Sequence, residues 1–121
     1  MFTRIHAFKF QNEFAKDSVK QKLETVGLDF FEEGLLMQCF VDIDASNLYM
    51  INTWENARAS EKVFEKFKEN IFTQVKEMGV KISILGGTAK VNFSDLNLLD
   101  SFKKVWMKGK EERTSPTTPR T

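Results

Sequence analysis

Leu35-Leu36-Met37-Gln38-Cys39-Phe40-Val41-Asp42-Ile43, then Asp44-Ala45-Ser46-Asn47, then Leu48-Tyr49-Met50-Ile51-Asn52-Thr53-Trp54 is the stretch that decides the fold. Only Gln38 and Asp42 interrupt the apolar run of the first segment, the pattern of a strand buried on both faces. Residues 44–47 carry side chains that bond their own backbone and so make a turn. The last segment is a second strand, and residues 35–54 therefore read as a hairpin.

Working outward toward the N-terminus, Phe2, Arg4, His6, Phe8 and Phe10 alternate with Thr3, Ile5, Ala7 and Lys9 along another strand, with apolar groups on both faces. Between it and the hairpin, Asp17-Ser18 opens a helix, with Ser18 and Gln21 spaced as a capping box. Val19, Leu23, Val26 and Phe30 form its apolar stripe. Gly27 weakens its middle by about 1 kcal/mol relative to Ala, and Gly34 closes the region.

Working outward the other way, Asn56 caps a second helix whose buried stripe is Val63, Phe67, Ile71, Val75 and Met78, stopped by Gly79. Val80 to Leu85 is a fourth strand. Gly86-Gly87 predicts a bulge or sharp bend before Thr88 to Phe93 resumes the strand pattern. Leu96, Leu99, Phe102 and Trp106 mark a third helix, and the chain from Gly109 has the composition of a disordered tail. The expected organisation is one domain over 1–93, a C-terminal helix over 94–108 and a tail over 109–121.

The order β-α-β-β-α-β is the ferredoxin-like arrangement of the α+β class, an antiparallel sheet with both helices on one face. The other face should then be polar, yet the first two strands carry bulky apolar groups on both parities. The simplest cover is the same face of a second copy, giving a homodimer whose two sheets close into a barrel. The C-terminal helix folding back is the alternative.

Composition narrows the function classes. The 121 residues suffice for one domain, and 12 Phe supply large buried area to a small core. A net charge of +1 gives no overall pull toward nucleic acid or membrane. Cys39 is alone, which fits a reducing compartment. Arg4 and His6 stand where a signal peptide would be apolar, and no segment reaches the roughly 18 apolar residues of a membrane span, so a cytoplasmic protein is expected. Lys103, Lys104, Lys108 and Lys110 around Trp106 and Met107 suit a solvated helix end better than a membrane surface. Thr114-Ser115-Pro116 and Thr117-Thr118-Pro119 have the form of proline-directed phosphorylation sites.

Over roughly residues 2–93 the chain resembles the dimeric α–β barrel superfamily, and within it the antibiotic-biosynthesis-monooxygenase-like (ABM) domains. The resemblance is carried by Leu48-Tyr49-Met50-Ile51-Asn52-Thr53-Trp54-Glu55-Asn56, like that family's third strand ending in Trp-Glu before the second helix, and by Gly34 before the second strand. It implies a homodimeric barrel and a small, mostly apolar pocket for an aromatic or polyketide-like ligand. It also implies a cofactor-independent monooxygenase or, alternatively, a non-catalytic binding or interaction module. The family's oxygenases use an Asn, a Trp and an Arg. Asn52 and Trp54 stand closer together here than that pattern has them, and Arg4 is the candidate cation. Haem-degrading members need a His late in the second helix or just after it, where this chain has none, its one His being on the first strand.

Four residues are therefore candidates for the site. His6 and Arg4 share a strand face, where a cation beside the imidazole would keep it neutral; a plain structural His bonded to backbone fits the same position. Asn52 on an apolar strand face needs partners, and Trp54 either stacks on a ligand or plugs the junction of strand and helix. A cavity between the two sheets of the dimer would collect all four. Gln38 and Asp42 share a parity and could reach a pocket or stand in water, while Cys39 is expected to be a buried, inert thiol. No spacing of residues makes a metal cluster or a phosphate loop, so neither metal nor cofactor is expected.

Overall fold

A computed structural model describes residues 1–92; the expected helix over 94–108 and the tail over 109–121 lie outside the described residues. The elements are β1 (Phe2–Lys9), α1 (Glu13–Asp29), β2 (Leu35–Asp42), β3 (Asn47–Trp54), α2 (Ala57–Phe67), α3 (Thr73–Glu77) and β4 (Lys81–Thr88). A 3₁₀ turn, Phe30–Glu33, follows α1, and a π-helical turn, Lys68–Phe72, joins α2 to α3. The strands form one sheet in the order β2-β3-β1-β4 with every neighbouring pair antiparallel. This is the ferredoxin-like βαββαβ arrangement, its second helix broken by the π turn.

Local chemistry explains most of the boundaries. Asp44 Oδ1 accepts from the backbone N–H groups of Ser46 and Asn47 at 2.8 and 2.9 Å and closes the β2–β3 hairpin. Asn56 caps α2, its Oδ1 accepting from Ala59 N at 2.9 Å. Gly34 and Gly79 take positive φ at the ends of the helical segments, where a Cβ would be strained.

Four expectations are corrected. First, α1 starts at Glu13 under the cap of Asn12, whose side chain accepts from Ala15 N at 2.8 Å; Ser18 lies inside the helix. The earlier start places Lys16 in helix, where it is 4% exposed and bonds Asp42 at 2.6 Å. Second, Gly86-Gly87 makes no bulge: β4 pairs with β1 without a break from Lys9↔Lys81 to Phe2↔Thr88, and the strand ends at Thr88, so the expected strand from Thr88 toward Phe93 is not formed over residues 89–92. A Cβ on Gly86 would lie 2.9 Å from Phe2 Cζ, so that glycine makes room for a side chain. The irregularity lies instead in β2, where Leu36 is the extra residue between the pairs Leu35↔Trp54 and Met37↔Thr53. It sets Leu35 and Gln38 on the same face despite their opposite parity. Third, Met78 is exposed, because α3 ends at Glu77 and Met78 stands in the turn beyond it, whereas Val75 keeps its place on the buried stripe. Fourth, within one chain β2 is not buried on both faces, since Cys39 and Val41 are exposed.

The helices cover the face that carries Phe8, Leu48 and Met50, which pack with Val19, Leu23, Ile71 and Val75 into the main core. The other face is apolar along two rows. Cys39, Ile51, Ile5 and Leu85 stand side by side across the four strands, and Val41, Tyr49 and Ala7 form the next row. Val41, Tyr49 and Leu85 are 38%, 42% and 70% exposed.

Candidate functional site

The sheet register assembles the site. Gln38 on β2, Asn52 on β3, Arg4 on β1 and Gly86 on β4 form one row across the helix-facing side. The next row is Phe40, Met50, His6 and Ile84, and on the far side of Asn52 Trp54 pairs with Phe2. A polar stripe thus crosses a face that should be wholly apolar.

Above this stripe lies a cavity of about 40 Å³, lined by all four predicted residues, Arg4, His6, Asn52 and Trp54. It lies between the sheet and its own helices, inside one chain, and not between two sheets. The reason is parity: the even-numbered residues of β1 and β3 face the helices. The rest of the wall is mainly apolar, with Phe30, Phe64, Phe67 and Phe72 among it. At about 40 Å³ it has room for one or two water-sized molecules; a dry cavity that takes benzene needs roughly 150 Å³.

Three of the four side chains are each 3% exposed, and they leave polar atoms without partners. These are both ring nitrogens of His6, Oδ1 of Asn52 and Nε1 of Trp54. Buried polar atoms are nearly always paired, because an unpaired one costs about 1–3 kcal/mol. Four such atoms on residues that line one small cavity form a cluster of hydrogen-bonding capacity directed at whatever occupies it, ligand or water.

His6 lies between aromatic rings, 6.2 Å from Phe8 and 5.5 Å from Phe72 by centroids. Burial, and secondarily the charge of Arg4, lowers its pKa from 6.5 to about 4, so the imidazole is neutral near pH 7. A plain structural His bonded to backbone does not describe it, since neither ring nitrogen has a partner. Arg4 donates from Nε to Ser60 Oγ, and its guanidinium lies over Phe2 and Phe64, 5.4 and 5.0 Å from their centroids. No carboxylate pairs with Arg4 among the described residues. Trp54 packs at the strand end with Leu35 and Val63 and tilts against Phe30, while its indole N–H is turned to no acceptor.

The other candidates separate cleanly. Gln38 lines the cavity; its Nε2 lies 3.5 Å from Met50 Sδ, and a Cβ on Gly27 would fall 2.5 Å from its amide. Gly27 therefore lets α1 settle onto Gln38, which offsets its cost in helix propensity. Asp42 belongs to a structural ion pair at the strand end. The hydrogen bond between them raises the Lys16 pKa and lowers that of Asp42. Cys39 is exposed on the outer face, contrary to its expected burial, because β2 turns that parity away from the helices. Ser60 and the rings of Phe64 and Phe72 escaped sequence reading. Ser60 could have been found, as a small polar residue three positions before Val63 on the buried face of α2. No group of three metal-ligating side chains occurs among the described residues. No helix among them is long and apolar enough to cross a membrane.

No protein-family model and no curated protein matches the chain in sequence. Solved structures do match. A candidate antibiotic biosynthesis monooxygenase from Deinococcus radiodurans superposes with a TM-score of 0.68 at 15% identity, covering 79% of this chain and 99% of that one. A dimeric ferredoxin-like protein from an uncultured marine organism gives 0.63 at 15%, covering 78% and 100%. The monooxygenase from ActVA-Orf6 of Streptomyces coelicolor, in complex with nanaomycin D, gives 0.58 at 13%, covering 77% and 92%. The chain therefore has the ferredoxin-like fold of the ABM domains, as the third-strand resemblance implied, and at these identities the likeness is one of fold.

Proposed function

We propose that this chain is an ABM-like small-molecule-binding protein that holds a flat aromatic, polyketide-like ligand bearing an ionisable hydroxyl. We further propose that it oxygenates that ligand without a cofactor. The observation that carries the reading is the cluster of four unpartnered polar atoms around one cavity beside a guanidinium. An aromatic hydroxyl meets part of this capacity. Its oxygen accepts from Arg4 and the Trp54 N–H, and in the neutral form its one proton goes either to Asn52 Oδ1 or to the unprotonated nitrogen of His6. A free-protein pKa near 4 makes His6 a weak base, so Arg4 does most of the work of ionising the ligand.

The reaction needs no other reductant. A phenolic ligand such as 1-naphthol loses its O–H proton, and the ring carbon opposite the oxygen bonds to O₂. The resulting hydroperoxide sheds water to leave a quinone. One C–H bond, one O–H bond and the O–O bond break, the naphthol C–O becomes one C=O while a second forms at the attacked carbon, two O–H bonds form in water, and the substrate supplies all four electrons that reduce O₂ to carbonyl oxygen and water.

The test is 1-naphthol titrated into the protein with a metal chelator present, with binding and O₂ uptake followed together. Binding with one O₂ consumed per naphthol supports the proposal. Binding without O₂ uptake leaves the non-catalytic module. No binding overturns both. We also propose that the apolar outer face is covered by a second copy of the chain, in keeping with its exposed Val41, Tyr49 and Leu85.

A further inference from the structure

A cavity of about 40 Å³ cannot hold an aromatic ring, so a binding reading requires a way to enlarge it. A second concavity lies next to it. This groove, of about 300 Å³, runs between the π turn with its flanking helices and the edge strand β4, where Ile82 and Ile84 line it. Phe64 and Phe72 line both spaces, so their rings form the partition. The two rings touch each other, with centroids 5.6 Å apart. Each also covers one polar member of the site, Phe64 against Arg4 at 5.0 Å and Phe72 against His6 at 5.5 Å.

We infer that Phe64 and Phe72 are an aromatic gate, their rings standing where a ligand ring would stand and swinging out to join the inner cavity to the groove beside β4. The inference rests on the aromatic-ligand reading above and adds the access route and the residues that set ligand size. The joined space reaches the roughly 300–1,000 Å³ of small-molecule sites. The ligand ring takes over the contacts that the two phenyl rings give to Arg4 and His6, so opening exposes no uncovered guanidinium. Both rings are only half-buried, which leaves them room to turn, and Phe72 sits at the end of the π turn, a helical irregularity common at functional sites.

The experiment is stopped-flow association of 1-naphthol with the full-length wild type, Phe72→Leu and Ile82→Trp. A smaller gate residue should raise the association rate about tenfold and tighten binding. A tryptophan at Ile82 fills the groove from the strand side, and its partner in the sheet is Phe8, not one of the four polar residues. It should slow association about tenfold and weaken binding, because the groove supplies most of the joined space. If wild type binds and neither variant changes the rates, the gate is wrong while the binding reading stands. If none of the three binds, the binding reading fails and the gate with it. Should Phe72→Leu not fold, the rates of Ile82→Trp against wild type decide alone.

Discussion

Arg4 on β1 and Asn52 on β3 stand opposite each other in the sheet register, a guanidinium with no carboxylate partner among the described residues beside a 97%-buried amide whose Oδ1 accepts nothing. A sheet face sealed by helices has no structural use for that pairing. Each residue is costly there alone, and together they make one wall of a cavity.

Replacing Asn52 with Leu removes the orphaned amide and fills its place with methyl groups. An unsatisfied buried polar group costs about 1–3 kcal/mol, so Asn52→Leu should be more stable than wild type. For a domain of this size that is several degrees in Tm. Naphthol binding should be lost at the same time. Thermal denaturation and a titration of the same variant check both halves. A fall in Tm would make Asn52 a structural residue with partners of its own.

Arg4→Met should do the opposite to stability. Ser60 is wholly buried and loses its hydrogen-bond partner, a cost of about 1–3 kcal/mol that the retained packing of the methionine on Phe2 and Phe64 offsets only in part. The His6 pKa should rise, because one cause of its depression is gone, yet stay below 6.5, because burial is the larger cause. An NMR titration of the single imidazole reads this directly.

The fold was largely legible because its signals are local. The Asp44 turn, the Asn56 cap and the stops at Gly34 and Gly79 are each read from a few adjacent residues. What stayed hidden depends on tertiary contacts. Asn12 and Ser18 are both good caps, and the choice between them is tied to Lys16 reaching Asp42 across 26 positions. The Leu36 irregularity and the π turn have no sequence mark, and the second of these sets where Phe72 stands. The four site residues were readable as types, since His6, Arg4 and Asn52 break apolar patterns. The side of the sheet on which they meet was not, because both parities of β1 are apolar.

Stability should also report the neutral state of His6. Its pKa is about 4 when folded and 6.5 when exposed, so between these values the unfolded chain binds the proton and the folded chain does not. Stability is therefore fully present above pH 6.5 and falls as pH drops toward 4, by about 3 kcal/mol across the window. His6→Phe, which keeps a ring between Phe8 and Phe72, should flatten that slope. Denaturant melts at pH 4.5 and 7 for both proteins give the comparison. Equal slopes in the two would show that the imidazole is solvated or charged in the fold. The Lys16–Asp42 pair acts in a lower window, since Asp42 is held below the usual carboxylate value of 3.8.

The outer face supplies the last prediction. Tyr49 lies on an inner strand of the sheet, on the face away from the helices, paired with Ala7 on one side and Val41 on the other. It is 42% exposed in a single chain, and the row beside it, Cys39, Ile51, Ile5 and Leu85, is apolar from edge to edge. A continuous apolar sheet face of this kind is a liability in a monomer and an asset in a pair. In a face-to-face dimer on a two-fold axis, a charge at Tyr49 would be buried near its own copy without a partner, which is strongly unfavourable. Tyr49→Glu should therefore convert a dimer to a monomer at micromolar concentration in sedimentation velocity. The inner cavity, which lies within one chain, should keep its affinity for naphthol. A wild type that sediments as a monomer at every concentration would leave the outer face to some other cover. Loss of naphthol binding on dissociation would instead tie the site to the partner chain, which the geometry of Arg4, His6, Asn52 and Trp54 does not require.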